Sequence, residues 1–447
     1  MKLEINYQIT EFLLAIFFCS QSFLTFSIPN VILIFTLLII LKYVLEGYRL
    51  QTLFLIITQV LILLFPIFIF KLLISALNFF LIHYFPIYKI PSRTGKYKVG
   101  YIKHFSRHLR IAIFYPTSEK TNDIYYYPHE EHWQRFYEIM KLSEVITQGK
   151  SVYPFPKILH KIFLSSFEKQ KLNVNENAKI VYNPQGFPII IFSHGLSANR
   201  LLYTSLLGEW ASHGFIVFSV EHDEKVLVRT KRLSDYVNIR KEQLQERIRY
   251  INETIEIVSN LEEMKKIFKH NDLTLKYNKL FLAGHSFGGA TAMEVAYSNN
   301  KVTGGIILLD PWFIPIKEDL YKKKIHLPII NIRSHEFHRN DELSKLCELY
   351  NQKYMEKDDF ISGYFNDSVH NCMTDVVLVI PRELYLFGLI NRLDDIEEHL
   401  HYHLNISTLF LQAINSEQKN VKSYILKEMD ESLMKKGRTL DTFKLDS

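Results

Sequence analysis

The chain has 447 residues, 48% of them hydrophobic and 22% charged, with 53 basic against 47 acidic side chains for a net charge of +6. This composition supplies a sizeable core and excludes a disordered chain, while basic residues spread without a polybasic block argue against nucleic acid as a partner. Three cysteines, Cys19, Cys347 and Cys372, form no disulfide framework and lean towards a reducing compartment.

The first 87 residues stand apart. Uncharged runs cover residues 12–26, 28–41 and 53–70, and Lys71 separates the third from residues 72–85. A spanning helix needs about 20 apolar residues, so the second and third runs qualify with their flanks and the first and last are marginal. The block predicts a bundle of three or four transmembrane helices and a lipid bilayer as partner; a cleaved signal peptide would explain only the first run. Lys42 and Arg49 follow the second run, and Lys89, Arg93, Lys96 and Lys98 follow the last. With four spans both basic groups share one side, which leaves the soluble portion cytosolic. With three it faces outward, where Asn252, Asn366 and Asn405 become glycosylation acceptors.

From about residue 88 the composition turns polar. The runs "LRIAIFYP" (109–116), "FPIIIFSHG" (187–195), "GFIVFSVEH" (214–222), "KLFLAG" (279–284), "GGIILLD" (304–310) and "LPIINIRS" (327–334) are short, rich in β-branched residues and end in turn residues, as strands do. Being nearly continuously apolar, they predict a mainly parallel sheet covered on both faces, an α/β architecture. Residues 117–180 show no clean period and read as surface excursions. Leu244, Ile248, Ile251, Ile255 and Val258 recur at helical steps, predicting an amphipathic helix on the sheet; Lys241, Glu242, Glu246, Arg249, Glu253 and Glu256 form its solvated face.

The chain spends three of its 16 glycines within six residues of Ser286, in "FLAGHSFGGAT" (281–291). A serine hydroxyl is a poor nucleophile and needs both a base and a site for the oxyanion. In Gly284-His285-Ser286-Phe287-Gly288 a strand ends, the chain turns sharply, and a helix begins. Glycines two before and two after let the backbone pass, and the Phe287 amide points at the same spot as the hydroxyl. A second oxyanion donor is expected from a loop after an earlier strand; His194-Gly195 ends one, which nominates the amide of Leu196.

The strand-turn-helix serine implies the downstream order Ser, acid, His. Asp310 ends the strand "GGIILL", whereas Glu318 and Asp319 lie in a lysine-rich loop; for the base, His335, His338 and His370 compete, and spacing leans to His370. His399, His401 and His403 would be a metal site only with further ligands, and they read as a surface cluster. No metal and no cofactor is expected.

Residues 91–415 resemble the platelet-activating-factor acetylhydrolase family of serine-dependent, calcium-independent phospholipases. The likeness rests on "TGKYKVG", "FSHGLSANRLLY", "ASHGFIVFSVEH", "IRKEQLQERI", "GHSFGGAT", "LLDPW" and "SVHNCMTD", in that order. It implies an α/β-hydrolase fold, Ser286, Asp310 and His370 as nucleophile, acid and base, and the amides of Leu196 and Phe287 as the oxyanion hole. It also implies a phospholipid substrate with a short or oxidised sn-2 acyl ester. Pro311 stands where a member of that family has a small residue and Asp223 where relatives carry an arginine, and both bear on acyl-chain preference. Two alternatives share the constellation: a lipase, carboxylesterase or protein deacylase of broader scope, and a silent lipid-binding hydrolase fold. The expected domains are a transmembrane segment (1–87), a catalytic domain (88–425) and a polar C-terminal tail (426–447).

Overall fold

The computed structural model describes residues 8–84, 87–124, 169–223, 233–316, 325–351, 359–379, 396–434 and 443–446. Glu318, Asp319 and most of the 117–180 excursion lie outside the described residues.

Among the described residues, ten strands form one sheet: β1 (Lys98–Ser106), β2 (Leu109–Thr117), β3 (Asn175–Glu176), β4 (Phe187–Ser193), β5 (Ile216–Val220), β6 (Leu275–His285), β7 (Gly305–Leu309), β8 (Ile329–Ser334), β9 (Phe360–Phe365) and β10 (Phe443–Leu445). Their order is β10-β9-β8-β7-β6-β4-β5-β2-β1-β3. The run from β5 through β4, β6, β7 and β8 to β9 is parallel, while β2 joins β5, β1 joins β2 and β10 joins β9 antiparallel. The alternation of side chains along a strand builds two cores. Ile190 and Phe192 of β4 pack on one face with Trp210 and Leu404; Ile189 and Ile191 pack on the other with Leu244, Ile251 and Met293. Helices Thr204–Ser212 and Ile396–Asn415 therefore cover the first face, and Leu233–Ser259 and Phe287–Ser298 the second.

The described parts of the C-terminal stretch, expected as a polar tail, hold regular elements. Residues 421–434 are helical, and β10 pairs with β9 at the sheet edge, where Asp446 forms an ion pair with Arg333. Polarity misleads here because an edge strand needs only one apolar residue, here Phe443, pointing inward.

The N-terminal block also differs from the expectation. It holds four helices, α1 (Ile9–Phe23), α2 (Ile28–Leu45), α3 (Leu50–Leu64) and α4 (Phe68–Tyr84), but α2 alone among the described helices has the length and composition to cross a membrane. The three-or-four-span bundle is thus corrected to one such helix and three shorter apolar ones of 10–17 residues. The physical reason is visible at residues 53–70, read as one run: α3 stops at Leu64 and α4 begins at Phe68, with Pro66 between them. Proline keeps the preceding residue out of the helical region, and Phe65 sits at φ −121°, ψ 78°.

Candidate active site

β6 runs into Ser286, and the helix Phe287–Ser298 starts at the next residue. Ser286 is held at φ 54°, ψ −118°, a region that costs a residue with a side chain roughly 1–3 kcal/mol. Its backbone is pinned: the N–H donates to Leu309 O (2.8 Å), and the carbonyl accepts from the amides of Gly289 (3.0 Å) and Trp312 (2.9 Å). Close approach explains the glycines, since a Cβ at Gly288 would lie 1.9 Å from Ser193 O and one at Gly284 2.1 Å from Gly288 O. The turn leaves Ser286 half-buried between the buried His285 and Phe287.

Phe287 is the first residue of its helix, so its amide is among those without an intrahelical acceptor. Leu196 follows β4 in the loop that abuts the elbow: a Cβ built on Gly195 would come 3.4 Å from Ser286 Cβ. The two nominated amides thus belong to segments that meet at Ser286.

Asp310 follows β7, the strand beside β6, with φ 43°. Its buried carboxylate accepts from the Ser334 N–H (2.6 Å), the Ser334 hydroxyl (2.6 Å) and His370 Nδ1 (2.9 Å). A carboxylate beside Nδ1 favours the tautomer protonated there and leaves the Nε2 lone pair as acceptor. The His370 ring has its centroid 5.9 Å from that of Phe337 and 4.5 Å from that of His285, and the His370 backbone N–H donates to Glu336 Oε2 (2.8 Å). Of the three competing histidines, only His370 meets Asp310; His335 and His338 stack on Tyr364 instead.

His285, expected only as a spacer in the elbow, bridges the site. Its Nδ1 lies 2.8 Å from the Tyr203 hydroxyl and its Nε2 3.2 Å from His370 O. Burial, reinforced by His370, holds its pKa well below the usual histidine value, so the ring stays neutral. Among the described residues, nitrogens of His285 and His370 and an Asp310 oxygen form the one group with metal-ligand chemistry, within 4.8 Å of one another. A metal would compete there with bonds these groups already make to Tyr203 and to each other.

The departures from the family pattern also have places. Pro311 lies over Gly289, where a Cβ would come 2.8 Å from the proline Cβ, and Asp223 sits 3.8 Å from Arg110.

The reading of His399, His401 and His403 as a surface cluster is corrected. His399 and His403 are buried on the inner side of Ile396–Asn415, and His403 Nδ1 bonds His399 O (2.6 Å) beside Cys372. Burial lowers the His403 pKa to about 4. Above pH 6.5 the ring is neutral in both folded and unfolded chains; between pH 6.5 and 4 only the unfolded chain takes the proton, so stability falls as pH falls. The loss is expected to reach about 3 kcal/mol near pH 4. Urea midpoints of wild type and His403→Gln across that window check it: the difference between the two should shrink as pH falls, and a constant difference contradicts a buried neutral ring.

The mixed sheet with its parallel centre and the serine on a strained strand-to-helix turn fit the α/β-hydrolase fold. The similarity to a ferulic acid esterase from Streptomyces cinnamoneus agrees in fold: TM-score 0.50, 15% identity, covering 72% of this chain and 92% of that one. The family profile "Platelet-activating factor acetylhydrolase, isoform II" matches residues 82–237 and 223–433, and the chain belongs to that family. Relatives include the platelet-activating factor acetylhydrolases of Cavia porcellus, 27% identical over 77% of this chain and 83% of that one, and Canis lupus familiaris, 24% identical over 77% and 82%. A putative phospholipase A2 of Schizosaccharomyces pombe is 25% identical over 53% of this chain and 64% of that one.

Proposed function

We propose that this chain is a serine esterase that removes the acetyl, short or oxidised sn-2 acyl group of platelet-activating-factor-like phospholipids through an acyl-enzyme. The observation that carries the reading is the Asp310–His370 pair, 2.9 Å apart, beside a serine on a strained elbow. In the first half-reaction Ser286 Oγ attacks the ester carbonyl as His370 Nε2 takes its proton, and the amides of Leu196 and Phe287 receive the oxyanion. The oxyanion collapses, the sn-2 C–O bond breaks, and His370 returns the proton to the lyso-phospholipid alkoxide. Water then attacks the acyl-enzyme with the same histidine as base, releasing the carboxylic acid. The named relatives support the substrate class.

The test is turnover by the purified chain, with EDTA present, on phospholipids that differ only in the sn-2 group. Acetyl and short oxidised chains are expected to exceed palmitoyl by at least about tenfold in kcat/KM. Equal turnover across chain lengths and on simple esters would shift the reading to a general carboxylesterase, and bound lipid without released acid to a silent fold.

The same reading includes attachment to a bilayer through the N-terminal helices, with the transmembrane role assigned to α2. The distribution of side chains supports it, being the inverse of a soluble protein's. Glu11, Lys42, Arg49 and Asn78 are buried, with Lys42 2.9 Å from Glu11, while Ile16, Ile32, Leu37, Val60, Leu73 and Phe80 are exposed. The chain should stay with membranes through alkaline carbonate extraction; release into the supernatant would overturn the attachment.

A further inference from the structure

The helix Leu233–Ser259 carries an arginine on the wrong face for a solvated charge. Arg247 falls three residues after Leu244 and four before Ile251, on the stripe that packs against the sheet, and it is 1% exposed. Its guanidinium donates to His194 O at 2.6 Å and to Gly195 O at 3.3 Å. The same group lies 4.4 Å from the centroid of the Phe287 ring. One buried cation therefore touches the two residues that precede Leu196 and the second nominated oxyanion residue itself.

We propose that Arg247 is a positioning residue for the oxyanion hole. In a trans peptide the C=O and N–H point in opposite directions, so a carbonyl held in place fixes the amide across the same bond. Gly195 O, held by His194 Nδ1 (2.7 Å), the Ala198 N–H (3.2 Å) and Arg247 (3.3 Å), leaves the Leu196 N–H on the opposite side of that peptide, and Arg247 is the charged member of the set. The loop is clamped from a second direction, because the Gly195 N–H donates to the Tyr203 hydroxyl (3.0 Å), which in turn meets His285 (2.8 Å). A charged donor on the carbonyl also polarises the peptide, which strengthens its N–H as a donor to the developing oxyanion. At Phe287 the cation packs on the ring of the residue that opens the helix, which restrains the orientation of its amide.

This role rests on the proposed esterase mechanism, and it predicts a specific kinetic signature. An interaction realised only when the oxyanion forms affects kcat and leaves KM nearly unchanged. In the full-length chain, Arg247→Met is expected to lower kcat for a short-chain phospholipid by about 10²–10³-fold, the effect of losing one oxyanion donor, with KM within about threefold. Affinity for a reversible trifluoromethyl ketone, which forms the same oxyanion on Ser286, should fall in parallel. Arg247→Lys, a point charge without the fork that spans two carbonyls, should recover part of both losses. Folded Arg247→Met with wild-type kcat and ketone affinity would overturn the proposal, as would a rise in KM that accounts for the whole loss. Should methionine prevent folding, Arg247→Lys decides: a parallel drop of about tenfold in kcat and ketone affinity supports the role, and wild-type values for both overturn it. Failure of the wild type to bind the ketone would overturn the esterase reading instead, since Arg247 is intact there.

Discussion

A Ser286→Ala variant is expected to fold like the wild type and to lose about 10⁶-fold in kcat, together with all labelling by a fluorophosphonate. The fold should persist because the hydrogen bonds that pin residue 286 are made by its backbone, to Leu309, Gly289, Ala290 and Trp312. Alanine keeps all of them. What it removes is the oxygen that forms the acyl bond and that displaces fluoride from phosphorus in the label. The Asp310–His370 pair would remain and could still direct water, so turnover slightly above the uncatalysed rate is compatible with the mechanism. Labelling of a folded Ser286→Ala protein at the wild-type rate would show that another residue is the nucleophile.

The second large effect is expected at the acid. Asp310→Asn should lower kcat by about 10⁴-fold with little change in KM, through the tautomer of His370. The carboxylate accepts three hydrogen bonds, from the Ser334 N–H, the Ser334 hydroxyl and His370 Nδ1. A carboxamide has one oxygen and one NH₂ in that space. If the oxygen keeps Ser334, the NH₂ faces His370 Nδ1, and the ring must move its proton to Nε2, the atom that has to accept from Ser286. If the oxygen keeps His370, the NH₂ meets the Ser334 amide donor inside the protein, at a cost of about 1–3 kcal/mol. Kinetics and thermal melting together read both branches. Near-wild-type kcat with unchanged stability would mean that the carboxylate is not the partner on which the histidine depends.

Much of this site is legible in the chain because it rests on local chemistry. The glycines around Ser286 mark a close backbone crossing, and the structure puts Ser193 O and Gly288 O where a Cβ would sit. The helix at 244–258 is legible because its apolar residues repeat at helical steps, and it appears within Leu233–Ser259. Arg247 is hidden for the same reason: a period counts apolar residues and passes over a cation that shares their face. Its signal was present in its position between Leu244 and Ile251. Pro66 likewise marks a break inside the uncharged run 53–70.

The six apolar strand runs, the elbow and the family motifs followed from the order of residues alone, since backbone geometry and side-chain alternation act over a few neighbours, whereas β1, β3, β9 and β10 were not marked by such runs. The tertiary structure decided everything that depends on distant segments meeting. It placed His370, rather than His335 or His338, 2.9 Å from Asp310, it turned the histidines at 399 and 403 inward, and it made residues 443–445 an edge strand. Those outcomes are set by which surfaces pack together, a property that local periodicity does not carry.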